Sequence, residues 1–166
     1  MDSHRHFITF GVYGQSEAQF FQGLRQSGID LFVDLRARRG MRGSEYAFVN
    51  SKRLQERLAT MGIAYAHASD LAPTPEIREA QKTADEKAGQ AKRTRSELGP
   101  IFVQRFRSEV ISRADWNAFD RLLGDHRVVG LFCVEALPQA CHRSLVASYL
   151  QERGIGEVTD WFASSS

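Results

Sequence analysis

Short apolar runs recur along the chain, separated by segments in which apolar residues follow a helical spacing. The longest run, at 128–134, is nearly unbroken, which is typical of a strand buried on both faces of a parallel sheet. Shorter runs predict further strands, and these lie at 7–10, 29–35, 63–68 and near 156–161. The chain is therefore predicted to contain five strands.

The segments between these runs are predicted to be helices. Ser16 and Gln19 fit a capping box, so the first helix should begin there, and Gly28 should end it. The later helical segments are 51–61, 101–111, 115–123 and 138–152, and Pro138 suits the first turn of the last one. In the segment 101–111, the spacing turns four side chains inward, namely Ile101, Phe102, Phe106 and Val110.

Strands that alternate with helices predict a parallel sheet with right-handed crossovers. We expect a three-layer α/β sandwich with a mainly parallel five-stranded sheet in the order 3-2-1-4-5. A length of 166 residues suits a single domain over 1–166. Within it, residues 73–100 are predicted to form a polar helical insertion, which is a weakly packed helix, a flap or a partly mobile segment. The tail at 163–166 is expected to be disordered.

The composition is that of an ordinary globular protein, with 42% hydrophobic and 25% charged residues. No apolar run approaches the ~20 residues that a membrane-spanning helix needs, and the amino terminus has no apolar secretory core. We therefore expect a cytoplasmic protein with no membrane partner. Two cysteines cannot form a disulfide framework, so they should be thiols in a reducing cytosol.

The net charge of +2 is too small to identify a partner, but the cations are unevenly distributed. One stretch contains six of them, Arg36, Arg38, Arg39, Arg42, Lys52 and Arg53. Because the planar fork of arginine suits phosphate, this stretch could bind an anion or a nucleic-acid backbone. A solvated loop explains the cluster equally well.

Polar residues follow the predicted strands at their carboxyl ends, where α/β sheets bind ligands. They are Gly11, Tyr13, Gly14 and Ser16 after the first strand, Asp34 and Arg36 after the second, His67 and Asp70 after the third, and Glu135 after the fourth. The glycine turn could present backbone N–H groups and a helix amino terminus to a phosphate. It lacks the glycines and the lysine of the nucleotide-binding fingerprints, and a plain strand–helix turn explains it as well.

Asp34 and Glu135 each terminate an apolar strand. In the strand order above, the first strand lies between them and separates their backbones by about 10 Å, two steps of ~4.8 Å. Such a carboxylate pair could perform acid/base or nucleophilic chemistry on a sugar or a base. Alternatively, each carboxylate caps a loop or pairs with an arginine, as Asp34 could with Arg36 or Arg143.

Reactive side chains are concentrated at 133–143, where the fourth strand is predicted to give way to a helix. Cys133 and Cys141 are candidates for a thiol site, which requires their Cα atoms to lie about 4.4–6.8 Å apart. Otherwise each is a small buried hydrophobe. His142 is expected to face the sheet. A zinc site is conceivable, but the Cys-x₇-Cys-His spacing matches no zinc pattern, so no metal and no cofactor is predicted.

Four blocks carry a resemblance to a known family, and they lie at 9–16, 33–36, 67–78 and 133–144. In these blocks the chain resembles the domain-of-unknown-function 488 family of bacterial and archaeal proteins. The resemblance implies a Rossmann-like α/β domain and little about activity. Its typical elements are here Asp34 with Arg36, Cys133 with Glu135, and Cys141 to Arg143. The chain departs from many relatives before Tyr13, where Phe-Gly-Val replaces a shorter Ile-Gly-Tyr.

The leading hypothesis is an enzyme, a hydrolase or transferase, that acts on a phosphate-bearing or nucleobase-containing substrate. Its expected ligand-binding residues are Gly11, Tyr13, Gly14, Ser16, Arg36 and Arg143, and its acid/base groups are Glu135 and Asp34, with His142 as orienting group or proton shuttle. The first alternative is a non-catalytic nucleotide or nucleic-acid binding module that uses the arginines at 36–42 and the basic patch at 92–95. The second is a thiol redox protein built on Cys133 and Cys141.

Overall fold

The structure is a computed structural model that describes residues 4–91 and 95–162. Two predictions lie outside these residues. One is the disorder of the tail at 163–166, and the other is the part of the basic patch that Lys92 and Arg93 contribute.

The core of the fold is a sheet of five strands, all of them parallel. The strands are β1 (Arg5–Phe10), β2 (Leu31–Asp34), β3 (Ala64–His67), β4 (Val128–Phe132) and β5 (Gly156–Asp160). The predicted α/β class and the five-stranded parallel sheet are confirmed. The predicted order 3-2-1-4-5 is wrong, because the strands lie in the order β3-β2-β4-β1-β5.

β4 occupies the centre of the sheet because it is the strand best suited to burial on both faces. Phe132 at its end is in register with Phe10 of β1 on one side and with Asp34 of β2 on the other. Neighbouring side chains also crowd its Gly130, where a Cβ would lie 3.0 Å from Ile29 and 3.2 Å from Phe10. Only a glycine admits both of these side chains without a shift. Consequently, Asp34 and Glu135 follow neighbouring strands, and the first strand does not separate them.

Among residues 4–91 and 95–162, six helices cover the two faces of the sheet and complete the three layers. They are α1 (Glu17–Ser27), α2 (Ser51–Thr60), α3 (Pro75–Lys87), α4 (Pro100–Arg105), α5 (Trp116–Leu123) and α6 (Arg143–Glu152). The side chains of α1 and α2 pack with Phe32 and Phe132 on one face. Those of α3 to α6 pack with Val33 and Leu131 on the other face. This alternation along each strand is the period of two that a sheet requires.

The start and end of α1 agree with the sequence prediction. The Ser16 hydroxyl accepts from the backbone N–H of Gln19, and the Gln19 side chain accepts from the backbone N–H of Ser16. Gly28 ends the helix with a φ of 72°, in the left-handed region that favours glycine.

Two of the predicted helices are interrupted. The segment predicted as one helix at 101–111 is α4, followed by a π-helical turn at Phe106–Val110. Ile101 was predicted to face inward, but its side chain is 62% exposed. Phe102 and Phe106 stack with ring centroids 5.8 Å apart on the inward face, and a residue next to Phe102 points about 100° away from it.

The helix predicted from residue 138 begins later than expected. Pro138–Ala140 form a 3₁₀ turn, and Cys141 is extended, with φ −136° and ψ 144°. The α-helix α6 starts only at Arg143, so Cys141 precedes it. Within the described ranges, no helix is long and apolar enough to cross a membrane.

Candidate functional site

A cavity of about 830 Å³ lies at the carboxyl edge of the sheet. Residues that follow three different strands line it, with Tyr13 after β1, Arg36 after β2 and Glu135 after β4. Helix α3 contributes to its lining through Arg78 and Gln81. Distant segments of the chain therefore meet at one cavity, as the position of ligand sites in parallel sheets leads one to expect.

The described lining of this cavity is rich in charge, and cations are in excess. Its cationic side chains are Arg36, Arg38, Arg42, Arg78, Lys82 and Arg95, and its acidic ones are Glu79, Asp85, Glu86 and Glu135. Six cations against four carboxylates leave an excess of two positive charges. The basic loop after β2 and the polar helix α3, which are remote in sequence, contribute most of these cations. Such a lining attracts anionic ligands.

Glu135 is a buried carboxylate of the cavity, with only 4% of its surface exposed. Its Oε1 accepts a hydrogen bond of 2.8 Å from Nη2 of Arg95. The same guanidinium donates from Nη1 to Asp85 at 3.1 Å and from Nε to the carbonyl of Ala140 at 2.9 Å. Asp85 in turn accepts from Gln81 at 2.7 Å. One arginine therefore connects the polar segment around α3 with the loop that follows β4.

Asp34 does not belong to the lining of the cavity. Its carboxylate is fully buried and accepts from Nε and Nη2 of Arg36 at 2.9 and 2.8 Å, from the Arg36 backbone N–H at 3.1 Å and from the Tyr65 hydroxyl at 2.7 Å. Burial raises the pKa of Tyr65, so its hydroxyl stays protonated and keeps donating. Four donors occupy this carboxylate, which corresponds to the ion-pair alternative of the sequence analysis.

Arg36 and His67 build the start of the basic loop. Arg36 also donates from Nη2 to the carbonyl of Val49 at 2.8 Å, while Nε2 of His67 donates to the Arg36 carbonyl at 2.6 Å. The carbonyl accepts only, so this nitrogen of His67 carries the proton. The pairing with Asp34 thus orients the Arg36 guanidinium at the cavity.

Gly11 and Arg143 shape the loop that carries Glu135. Arg143 is fully buried and donates from Nη1 and Nη2 to the carbonyls of Glu135 and Ala136. A Cβ on Gly11 would lie 2.1 Å from the Glu135 carbonyl oxygen, so only glycine allows this approach. Neither residue is part of the cavity lining. Both were predicted to bind ligand, and in the structure both contact the backbone of the loop that carries Glu135.

The other two residues of the predicted glycine turn are also occupied locally. The backbone N–H of Gly14 donates to the Tyr46 hydroxyl at 2.9 Å, and Ser16 caps α1. Tyr13 is the member of this turn that lines the cavity, and its ring centroid lies 5.2 Å from that of Tyr46. The turn therefore offers an aromatic side chain to the cavity.

Two thiols and an imidazole converge beside Glu135. The Sγ atoms of Cys133 and Cys141 and a ring nitrogen of His142 all lie within 4.8 Å of one another. Cys133 and His142 border the cavity, whereas Cys141 is completely buried. Burial raises the pKa of the Cys141 thiol, because a thiolate there would lose its hydration. The predicted thiol candidates are thus neighbours in space, and both are unlinked.

Sequence reasoning missed the hydrogen-bond network that begins at Glu135 and runs through Arg95 and Asp85 to Gln81. Arg95 was considered only as part of a basic patch, and Asp85 and Gln81 were not considered at all. The four-residue spacing of Gln81 and Asp85 on a helix would bring them into contact. That both are buried could not be recognised, because the surrounding segment is polar throughout.

The family model with the description "Domain of unknown function DUF488" matches residues 16–150 of the chain. Comparison with curated proteins and with solved structures gives no match.

Proposed function

Since the chain belongs to the DUF488 family, whose description names no activity, we propose a function from the cavity itself. The cavity binds a phosphate-bearing or nucleotide-like ligand, and Glu135 is the reactive carboxylate of a hydrolase or transferase. The observation that carries this proposal is the excess of cations around a cavity that contains a buried carboxylate. The two unlinked cysteines fit an enzyme of the reducing cytosol.

Arg36 supports the anionic character of the ligand. Its Nε and Nη2 are engaged by Asp34, while its buried Nη1 has no hydrogen-bond partner among the described residues. A buried donor without an acceptor costs free energy, and a phosphate oxygen would supply the missing acceptor. Arg38 and Arg78 on the same lining add positive charge.

Glu135 is the carboxylate best placed to react with such a ligand. It lines the cavity, whereas Asp34 lies behind it and is saturated by donors. We therefore assign Asp34 to the orientation of Arg36 and assign acid/base or nucleophilic chemistry to Glu135 alone. Tyr13 on the same lining can stack on a base.

Binding is tested by calorimetric titration with inorganic phosphate, AMP, ADP and a short single-stranded DNA. Arg38→Ala should weaken the binding of the phosphate-bearing probes about tenfold, the loss of one charge-assisted contact of about 1.4 kcal/mol. Arg121→Ala is the matched control, because Arg121 is also exposed but lies on α5, away from the cavity lining. Equal losses of affinity in the two variants would show that only the overall charge of the protein matters, and this result would contradict the proposed site.

Catalysis is tested by incubating the protein with the tightest of these probes and analysing the products by mass spectrometry. Glu135→Gln should bind the probe as the native protein does but form no product, since the amide cannot accept a proton. If the native protein binds nucleotides and releases no product, or if Glu135→Gln turns over normally, the catalytic part of the proposal fails. Binding without product would leave the non-catalytic binding module as the correct reading.

A further inference from the structure

We propose that Cys133, Cys141 and His142 form a zinc site whose fourth position opens to the cavity. The three side chains come from the end of β4 and from the residues just before α6, and their donor atoms lie within 4.8 Å of one another. Two thiol sulfurs and one imidazole nitrogen are donors that zinc favours. The site is independent of the phosphate-binding function proposed above.

The hydrogen bonding of His142 leaves the right nitrogen available to a metal. Its Nε2 lies 2.9 Å from the Leu35 carbonyl oxygen, which can only accept, so Nε2 carries the proton. Nδ1 therefore carries the lone pair, and it accepts a weak hydrogen bond of 3.9 Å from the Cys141 thiol, whose proton a metal would displace. Histidines that bind metals typically donate their other ring nitrogen to a carbonyl or carboxylate in this way.

The observed spacing is close to that of a tetrahedral site. Bond lengths of about 2.3 Å to sulfur and 2.0–2.1 Å to nitrogen place the ligand atoms of a tetrahedral zinc site about 3.5–3.8 Å apart. Sγ of Cys141 and Nδ1 of His142 are 3.9 Å apart, so they would have to move very little to reach this separation. Small rotations of the side chains suffice for the third ligand, which lies within 4.8 Å.

The local backbone removes the objection that adjacent ligands are awkward on a helix. Cys141 is extended, with φ −136° and ψ 144°, and His142 is the residue that precedes the first turn of α6. The two side chains can therefore converge although they are neighbours in sequence. The Cys-x₇-Cys-His spacing thus joins the end of β4, across a 3₁₀ turn, to the two residues just before α6.

Three protein ligands leave the fourth position to water or substrate, as in catalytic zinc sites. Cys133 and His142 border the cavity, while Cys141 lies behind them with no exposed surface. The open position therefore faces the cavity that contains Glu135. Binding releases one proton from each thiol to the solvent, since zinc is bound by thiolates.

The test is a titration of the reduced, chelator-treated full-length protein with Co²⁺, followed by displacement with Zn²⁺. One equivalent of Co²⁺ should bind and give the intense visible bands of a tetrahedral site together with thiolate-to-cobalt charge transfer in the near ultraviolet. Cys133→Ala and His142→Gln should weaken binding at least tenfold, and Cys133→Ala should roughly halve the charge-transfer absorption. His126→Gln is the matched control, because His126 pairs with Asp30 outside the cavity and should leave the spectrum unchanged.

A second readout protects the test against variants that do not fold. Zinc should raise the melting temperature of the native protein, because it binds the folded chain preferentially, and should not raise that of folded Cys133→Ala. Absence of thiolate-to-cobalt charge transfer in the folded, reduced native protein would overturn the proposal. So would an unchanged spectrum in Cys133→Ala. Equal losses of phosphate binding in Arg38→Ala and Arg121→Ala would contradict only the proposed function, so the two failures are distinguishable.

Discussion

Asp34 and Glu135 both lie near the carboxyl ends of neighbouring strands, yet their surroundings differ. Asp34 ends β2 and Glu135 follows β4; both are buried, and both pair with an arginine. The partners of Asp34 come from its own strand end and from β3, through Arg36 and Tyr65. Glu135 instead pairs with Arg95, forty residues earlier in the chain, in the polar segment that follows α3.

The origin of the hydrogen-bond donors distinguishes a carboxylate that is enclosed by donors, Asp34, from one that borders a cavity, Glu135. Asp34 is enclosed by donors from the sheet itself, so its ion pair cannot open without disturbing the core. Glu135 lies at a cavity and depends on a guanidinium from a surface segment that it shares with Asp85. The strand end therefore determines where a carboxylate lies, while the origin of its partner determines whether it is available to a ligand.

The largest effect on stability should come from Asp34→Asn. Removing this charge leaves the Arg36 guanidinium buried without its counter-ion, which costs about 3–5 kcal/mol in comparable pairs. Glu135→Gln should cost less than half as much, because Arg95 retains Asp85 and the Ala140 carbonyl. Urea unfolding of both variants measures the two free energies. Equal losses in the free energy of unfolding would show that the two carboxylates contribute equally to stability, and this result would contradict the difference argued above.

Gly11→Ala should have the next largest effect. Its Cβ would meet the Glu135 carbonyl oxygen at 2.1 Å, so the loop that carries Glu135 must shift, at a cost of about 1–3 kcal/mol. Gly40→Ala is the matched control, because no atom lies within 4 Å of the added carbon. Thermal unfolding measures the difference, and equal melting temperatures in the two variants would contradict the close approach.

The parts of the fold that depend on neighbouring residues could be predicted from sequence. The Ser16–Gln19 capping box and Gly28 act within one helix, so their residue types are sufficient to locate α1. The alternation of strands and helices likewise predicted the parallel sheet, because each crossover is a local unit. The order of the strands could not be predicted in this way, because it depends on which distant strand pairs with β1.

A signal for the central strand was nevertheless present. The run at 128–134 is the longest apolar run of the chain, and a strand buried on both faces and flanked on both sides belongs in the middle of a parallel sheet. The site followed the same rule. Tyr13, Arg36, Glu135 and His142 were located by their strand ends and do border one cavity. Their hydrogen bonds were not predictable, because Arg95 meets Glu135 across 40 residues of sequence.

Arg95→Ala sharpens the contrast by removing a cation that pairs with Glu135 and leaving the pair of Asp34 and Arg36 intact. Asp85 and Glu135 would then lose their shared cation, so α3 should separate more readily from the loop after β4. We expect amide hydrogen exchange over 75–87 to accelerate about tenfold, which corresponds to about 1.4 kcal/mol of local opening. Exchange in β2 and β4 should change less.

The same measurement tests the prediction that 73–100 is a partly mobile insertion. Arg105→Ala is the control, since Arg105 pairs with Glu109 at the surface of α4 and does not contact Glu135. If α3 exchanges at the native rate in Arg95→Ala, the ion pairs of Arg95 do not hold the segment. Glu135 would then be as firmly placed as Asp34.

A further effect on the Asp34 site should come from Tyr65→Phe, which removes one of the four donors to Asp34. A loss of about 1–2 kcal/mol is expected at neutral pH, because the hydroxyl donates to a buried charge. Burial raises the pKa of Tyr65 above the ordinary 10.0, so the folded state holds this proton more tightly than the unfolded state does. The stabilisation is therefore complete below pH 10 and declines as the pH rises through the folded pKa.

Urea unfolding of the native protein and Tyr65→Phe between pH 7 and pH 11 measures this decline, in the range that the ordinary tyrosine pKa of 10.0 defines. The stability difference between the two proteins should be constant at first and should narrow above pH 10. Other ionising groups are common to both proteins, so they cancel in the difference. A stability difference that stays constant to pH 11, or widens, would mean that the protonated hydroxyl of Tyr65 does not stabilise the fold by donating to Asp34.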